Sequence, residues 1–374
     1  MTKVAVVKTD SYDTHIVEQA MTELLDELGG ISRFIQPGDR VLLKPNMLEG
    51  VDKDKAVTTH PEVLRAVIRQ VKAAGGAAFV GDSPALGNIR KVAEITGIAE
   101  VCLQEKAELL AFEKSAVTYH SDGLFIKKFE LAQELQQVDK VISLAKMKTH
   151  SLMGITGGVK NLFGFIVGPY KAQFHLRMQK QRDFAAMLAD LNEAVKPVLH
   201  IIDGIVGMEG NGPRNGTPIK TGVLLAGTNG FAVDMVMANI MGFNAEKLPV
   251  SAWALSQKLA PKLTAIDIAG SAQATVVPYA PAKNLVALRA AIPYWLADLG
   301  QNQLTAKPVI NDKCVGCGRC AAHCPPKTIV IAKGRAQLDL KNCIRCYCCQ
   351  ELCPHDAVDL KEGIWLKFVQ RLTK

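Results

Sequence analysis

The sequence predicts an α/β body, with a parallel or mixed sheet flanked by helices, followed by a small C-terminal cysteine-rich module. Two observations carry the body. Short apolar runs alternate with segments of helical periodicity, the rhythm of βαβ units. Polar, glycine-containing segments follow those runs, where ligands sit in such sheets. The module rests on a third observation: nine of the ten cysteines fall between Cys314 and Cys353, eight of them in two spaced sets of four. The chain has 374 residues, 48% of them apolar, so the part before these cysteines can bury a full core. The division expected is 1–300 for the body, 301–362 for the module and 363–374 for a basic-apolar tail.

The elements follow in order. Val4-Ala5-Val6-Val7 is a strand, and Ile16 to Leu28 a helix that stops at Gly29-Gly30. Arg40 to Leu43 is a second strand running into Lys44-Pro45-Asn46. Pro61 suits the first turn of a helix, so Glu62 to Ala74 is helical and closed by Gly75-Gly76. Ala77 to Val80 is a strand ending at Gly81-Asp82-Ser83-Pro84, and Ile89 to Ile95 a helix. Val138 to Leu144 is a strand leading into Lys146-Met147-Lys148-Thr149-His150. Arg182 to Val195 is a helix, and Val198 to Ile202 a strand ending in Asp203-Gly204. Glu209 to Gly216 is expected to be a loop, Val223 to Ala226 a strand, and the segment after Gly227-Thr228-Asn229 a helix holding Asp234. Asn284 to Leu299 is expected to link body and module as a helix, and the tail from Gly363 to pack back on the body.

The cysteines read Cys314-x2-Cys317-x2-Cys320-x3-Cys324-Pro325 and, 29 residues on, Cys343-x2-Cys346-x2-Cys349-x3-Cys353-Pro354. In this spacing three thiolates of one loop and a fourth from the other loop hold a [4Fe–4S] cube. Cys314, Cys317, Cys320 and Cys353 are assigned to one cluster, and Cys343, Cys346, Cys349 and Cys324 to the other. Each Pro removes a backbone donor and turns the chain away. Structural zinc is the alternative, since Cys-x2-Cys also binds it. Zinc has no need of the 2-2-3 spacing twice, each copy followed by Pro. Cys348 is surplus, a partly buried thiol beside the cluster, and Cys102 a core thiol.

Committing eight cysteines to clusters argues for a reducing compartment over disulfides. The N-terminus opens into a strand without the apolar stretch of a signal peptide, so a cytoplasmic protein is expected, with no transmembrane segment. The formal charge is +8 with thiols counted as neutral. Two oxidised cubes at about −2 each leave roughly +4. No aromatic-interleaved basic platform is present, so nucleic acid is not expected. The surplus suits a small anionic substrate or a soluble acidic redox partner.

The richest chemistry lies between Lys146 and Gly164. Glycines there let backbone N–H groups approach a ligand, and lysines supply point charges for an anion. The stretch is neither a Walker A loop nor a dinucleotide glycine motif. His150 is the best proton-transfer candidate, because its ordinary pKa lies near working pH. Lys148 and Lys160 join it as catalytic candidates. Lys44, Asn46, His60, Asp82, Ser83, Lys146, Gly157, Gly158 and Asn161 are the candidates for binding a cofactor or anion. His60 before Pro61 also fits a plain helix start. Asp203 and Asp234 are expected to cap helices or support the site, and Asp82 to pair a lysine or hold a metal.

The cysteine stretch resembles the bacterial two-cluster ferredoxins, over about the last 55 residues of the chain and with all eight ligands present. Lys44-Pro45-Asn46, His60-Pro61, Gly81-Asp82-Ser83-Pro84, Lys148-Thr149-His150 and Gly157-Gly158-Val159-Lys160-Asn161-Leu162 resemble the uncharacterised family called domain of unknown function 362. That resemblance covers about residues 1–300 and implies a fusion to a ferredoxin module, without supplying a reaction. A further likeness is to the nickel-pincer lactate racemases, where a His, a Gly-Gly pair and a Lys recur at spacing comparable to His150, Gly157-Gly158 and Lys160. It implies an organic anion or a pyridine-type cofactor at this loop.

The expected function is that of an iron–sulfur redox enzyme. Single electrons pass from two [4Fe–4S] clusters to an anionic substrate or an unidentified organic cofactor held by the body. No flavin or nicotinamide fingerprint is present. A non-enzymatic electron carrier or assembly factor, docking a protein partner through the body, is the alternative. Non-redox chemistry with structural or oxygen-sensing clusters is a third reading. The enzyme reading expects a deep pocket lined by these loops and opening near one cluster.

Overall fold

A computed structural model describes residues 1–85, 87–168, 170–178, 180–273, 275–282 and 306–361. The linking helix expected at Asn284–Leu299 and the tail from Gly363 lie outside the described residues.

The body's strands are β1 (Lys3–Lys8), β2 (Arg40–Pro45), β3 (Ala77–Asp82), β4 (Glu108–Ala111), β7 (Lys140–His150), β8 (Gly154–Thr156), β9 (Leu199–Asn211), β10 (Asn215–Gly227) and β11 (Asp267–Ala269). They form one sheet in the order β11-β1-β10-β9-β7-β2-β3-β4, with β8 on β7. A hairpin of β5 (Ser115–Tyr119) and β6 (Lys128–Ala132) stands apart. β4, β3, β2, β7 and β9 run parallel, and β10 runs antiparallel to both β9 and β1, so the sheet is mixed.

Period-two alternation sets its two faces. Val41, Leu43, Ile142, Leu144, Ala5 and Val7 face α1 (Thr14–Asp26) and α2 (Pro61–Ala73), joined by α3 (Ile89–Thr96) and α4 (Ile98–Gln104). Leu42, Val141, Val4, Val6, Val223, Leu225 and Ile202 face the other way. There they meet α7 (Gln181–Val195), α8 (Gly230–Ile240) and α9 (Pro249–Ser256). Sequence explains the helix starts. Asp13 accepts from the amides of His15 and Ile16, and His60 caps α2 with Pro61 in its first turn.

Two expectations change. The strand read as ending at Leu144 continues to His150, because β8 folds back on it in the register Lys148↔Thr156 and His150↔Gly154. Lys146 to His150 is therefore a strand extension, with an irregularity against β9 between Lys146 and Lys148. Glu209 to Gly216 is also not a free loop. β9 and β10 pair as far as Asn211↔Asn215, leaving Gly212-Pro213-Arg214 as a hairpin tip with a cis Gly212–Pro213 bond.

The module is built from β12 (Lys307–Ile310) paired with β15 (Val358–Lys361), β13 (Ile329–Ala332) paired with β14 (Arg335–Leu338), and the short helices α10 (Arg319–Ala322) and α11 (Cys348–Glu351). Its own small core holds Ile329, Ala336, Cys349, Cys353, Ala357 and Val358.

Candidate functional site

The carboxyl ends of β2, β3 and β7 converge. Lys44 Nζ lies 2.8 Å from Asp82 Oδ1 and donates to Asn161 Oδ1 at 3.2 Å. Asn161 returns a bond from its amide to the Lys44 carbonyl at 2.9 Å. Asn46 donates to Asn161 Oδ1 at 3.3 Å and accepts from Lys148 Nζ at 2.9 Å. Lys148 also donates to the Val57 carbonyl at 2.7 Å. Burial pushes the Lys44 ammonium down, and Asp82 opposes this. Burial pushes Lys148 well below its usual range, with Lys160 and Lys146 adding to the effect. Asp82 is thus a lysine partner whose oxygens also accept from the amides of Met47 and Ser83, at 2.8 Å each. The Ser83 carbonyl accepts from Lys171 on α6 (Tyr170–Arg177), a lysine that burial holds at about 8.

His150 closes this network on its module side. Its Nδ1 accepts from the amides of Leu152 and Met153 at 3.0 and 3.2 Å, which puts the ring proton on Nε2. Nε2 lies 3.2 Å from Glu351 Oε1. The two atoms are out of line for a hydrogen bond, and neither has another partner among the described residues. Burial, then Lys160, depresses His150 well below 6.5. Burial raises Glu351 to about 7, while Lys160 and Lys148 oppose the rise. Lys160, on α5 (Gly158–Asn161), is half-buried, and Glu351 is the group that most favours its charge. His175 completes the surround. It stacks on Phe184 at 4.8 Å, its Nδ1 is without a partner among the described residues, and burial holds it at about 3.

Other expected residues serve different ends. Lys146 pairs with Asp203 at 2.8 Å and donates to Tyr12 at 2.7 Å. Tyr12 stacks on His60 at 3.6 Å, and the His60 amide donates to Asp203. His60 is the helix cap, its Nδ1 accepting from the Glu62 amide at 3.2 Å. This is a structural cluster joining α2 to β7 and β9. Gly157 and Gly158 are needed for close approach. A side chain on Gly157 would overlap Asp234, and one on Gly158 would meet His200. Asp234 accepts from the amides of Gly158 and Val159 at 2.6 and 3.2 Å, as a capping group does.

The module reaches this site through α11. Ser151 Oγ donates to Gln350 Oε1 at 2.9 Å. Arg214, at the β9–β10 tip, donates to the Cys353 carbonyl at 2.8 Å, and Asn215 to the carbonyls of Gln350 and Cys353 at 3.4 and 3.3 Å. Glu49 pairs with Arg214 and lies 3.5 Å from Arg319 of the module. Glu351, Gln350, His175 and Lys171 were not singled out by the sequence reading. One signal existed: the second cysteine motif carries Gln350-Glu351 where the first carries Ala321-Ala322.

The cysteines fall into two groups. Cys320 neighbours Cys314, Cys317 and Cys353, and these four line one cavity. Cys349 neighbours Cys343, Cys346 and Cys324, with Cys320 also in range. Backbone amides point at the sulfurs of Cys314, Cys324, Cys343 and Cys353 at 3.2–3.4 Å. Among the described residues no three His, Cys, Asp or Glu side chains gather tightly enough for a single metal ion. Thiolate quartets spread around a cavity and fed by amide donors fit iron–sulfur cubes better than zinc. Cys102 is buried, and burial raises it to about 11. Cys348 is buried beside Cys346 and Lys160.

Where the sequence reading expected a deep pocket, Glu351 of α11 lies against His150. A cavity of about 860 Å³ lies at the other ends of β1 and β9, lined by Lys3, Asn192, His200 and Asn229 among others. Among the described residues no helix is long and apolar enough to cross a membrane.

Comparison with known proteins agrees with this division. A 4Fe-4S dicluster domain matches residues 313–357. The thylakoid-associated protein sll1697 of Synechocystis is 38% identical over 250 residues, covering 67% of this chain and 77% of that protein. One subunit of an ion-translocating oxidoreductase complex from Methanosarcina acetivorans is 33% identical over 55 residues, covering 15% of this chain and 21% of that protein. The lactate racemase apoprotein of Thermoanaerobacterium thermosaccharolyticum superposes with a TM-score of 0.35 at 11% identity, over 61% of this chain and 54% of that one, too slight a likeness to carry an argument. The domain of unknown function DUF362 matches residues 41–239, more than half of the chain, and the protein belongs to that family.

Proposed function

We propose that this is an iron–sulfur redox protein whose body binds a small anionic substrate or organic cofactor at Lys148, His150 and Lys160, and that single electrons reach that site from the cluster module. The supporting observation is the contact of Glu351 with His150 at 3.2 Å, two residues beyond the cluster cysteine Cys349. The two [4Fe–4S] clusters, held by Cys314, Cys317, Cys320 and Cys353 and by Cys343, Cys346, Cys349 and Cys324, supply single electrons when bound. The chain's own residues do the rest. Lys160 and Lys148 bind the anion, whose charge offsets the burial that disfavours their ammonium forms. His150 holds a proton on Nε2, facing the space an incoming anion would enter. Asn46 orients Lys148, and Asn161 and Asp82 hold Lys44. The partial match to an ion-translocating oxidoreductase subunit supports a role in electron transfer. The thylakoid-associated relative supports work beside a membrane.

The covered state of the site favours the second reading. A carrier or assembly factor needs no open pocket, and among the described residues Glu351 of α11 occupies the place beside His150. The test is anaerobic purification followed by iron analysis and mass spectrometry of released small molecules. The redox-enzyme reading expects about eight iron atoms per chain and a released anion that Lys160→Ala protein lacks. Iron without any such molecule, in both proteins, favours the carrier.

A further inference from the structure

The two parts share no apolar cluster among the described residues. The buried residues of the module's core are all its own, and the cores of the body contain none of them. The seam is instead polar: Ser151 to Gln350, Arg214 to Cys353, Asn215 to Gln350 and Cys353, Glu49 to Arg319. Each of these bonds can be exchanged for water at small net cost, as in transient interfaces between domains. One carboxylate crosses the seam deeply. The Glu351 side chain keeps 14% exposure, and it faces Lys160, Lys148 and His150. Its Oε1 and His150 Nε2 are both left without a hydrogen-bond partner at 3.2 Å among the described residues. A pair buried for its own sake would be aligned. The Lys160 ammonium makes no hydrogen bond or ion pair within 4 Å among the described residues, with Glu351 the group that most favours its charge, so this cation is open to an anion.

We propose that Glu351 is an internal stand-in for a small oxyanion of the carboxylate class, and that this oxyanion and the docked module compete for Lys148, Lys160 and His150. The inference rests on the reading that this site takes an anion. The ligand's carboxylate enters where the Glu351 carboxylate lies, and α11 withdraws as the polar seam opens. Cluster contact and ligand entry then alternate.

The probe is oxalate, titrated calorimetrically into anaerobically purified, full-length holoprotein. Glu351→Gln removes the competing charge but keeps its shape, and should bind oxalate about tenfold more tightly than wild type. Asn215→Ala, outside the anion site, loosens the seam and should tighten binding in the same direction by about threefold. Lys160→Ala added to Glu351→Gln should abolish the gain. Wild-type holoprotein should also expand in small-angle scattering at saturating oxalate. Equal or weaker binding by Glu351→Gln, or no oxalate binding by any form, overturns the proposal. If Glu351→Gln loses its cluster absorbance, Asn215→Ala decides alone, and unchanged affinity in it is the contrary result. The titration involves no electron flow. Competition without electron delivery would overturn the redox reading and leave this one standing; electron delivery without competition would do the reverse.

Discussion

Lys160, His150 and Cys346 separate binding, proton handling and electron supply at the scale of single residues. Lys160→Ala removes the least encumbered cation and should abolish anion binding, read by calorimetry, with cluster absorbance unchanged. His150→Ala should leave the same absorbance intact while stopping turnover. Cys346→Ser should instead lose absorbance from the cluster assigned to Cys343, Cys346, Cys349 and Cys324, and surviving absorbance would refute its place among the ligands. A pH effect belongs at this scale too. Burial holds His200 at about 4 against an ordinary 6.5, so the folded protein keeps it neutral. Below pH 6.5 the unfolded chain takes up the proton and the folded one does not. Its contribution is complete above that pH and is lost as pH falls toward about 4, at about 1.4 kcal/mol per pH unit. His200→Gln should flatten the acid limb of the thermal-stability profile. An unchanged limb would show that His200 titrates normally.

At the scale of elements, β7 shows what the sequence concealed. Beyond Leu144 lysines alternate with Ala145 and Met147, and a lysine in a strand ordinarily marks a solvated face. Lys146 and Lys148 are buried because Asp203, Asn46 and the Val57 carbonyl receive them, partners distant in sequence. The early strands and helices were legible, because capping residues, prolines and glycine stops are local signals. The β9–β10 hairpin was not, since Glu209 to Gly216 is rich in turn formers that pairing overrides. The Gly157-Gly158 pair was legible as close approach but not as to what approaches. Gly157→Ala would press on Asp234 and should cost about 1–3 kcal/mol in chemical denaturation. Shortening the obstacle with Asp234→Ser should recover part of that loss. No recovery would place the strain elsewhere.

The molecule as a whole joins a cationic α/β body to an iron–sulfur module through a polar seam. Both parts were readable separately, the module from cysteine spacing alone. Their meeting was not, because it depends on Glu351, Gln350, Arg214 and Asn215, polar residues without a local pattern. Nor did anything in the sequence say that Glu351 of α11 would lie against His150. The central claim is that electrons held by the clusters are used at the lysine–histidine site. The most direct measurement is cluster reoxidation under anaerobic conditions. Dithionite-reduced, desalted protein is mixed with the small-molecule fraction released from anaerobically purified wild type, and absorbance is followed in wild type and Lys160→Ala. Reoxidation in wild type that is lost in Lys160→Ala is the predicted result. Equal reoxidation of both proteins, or of neither, would contradict it.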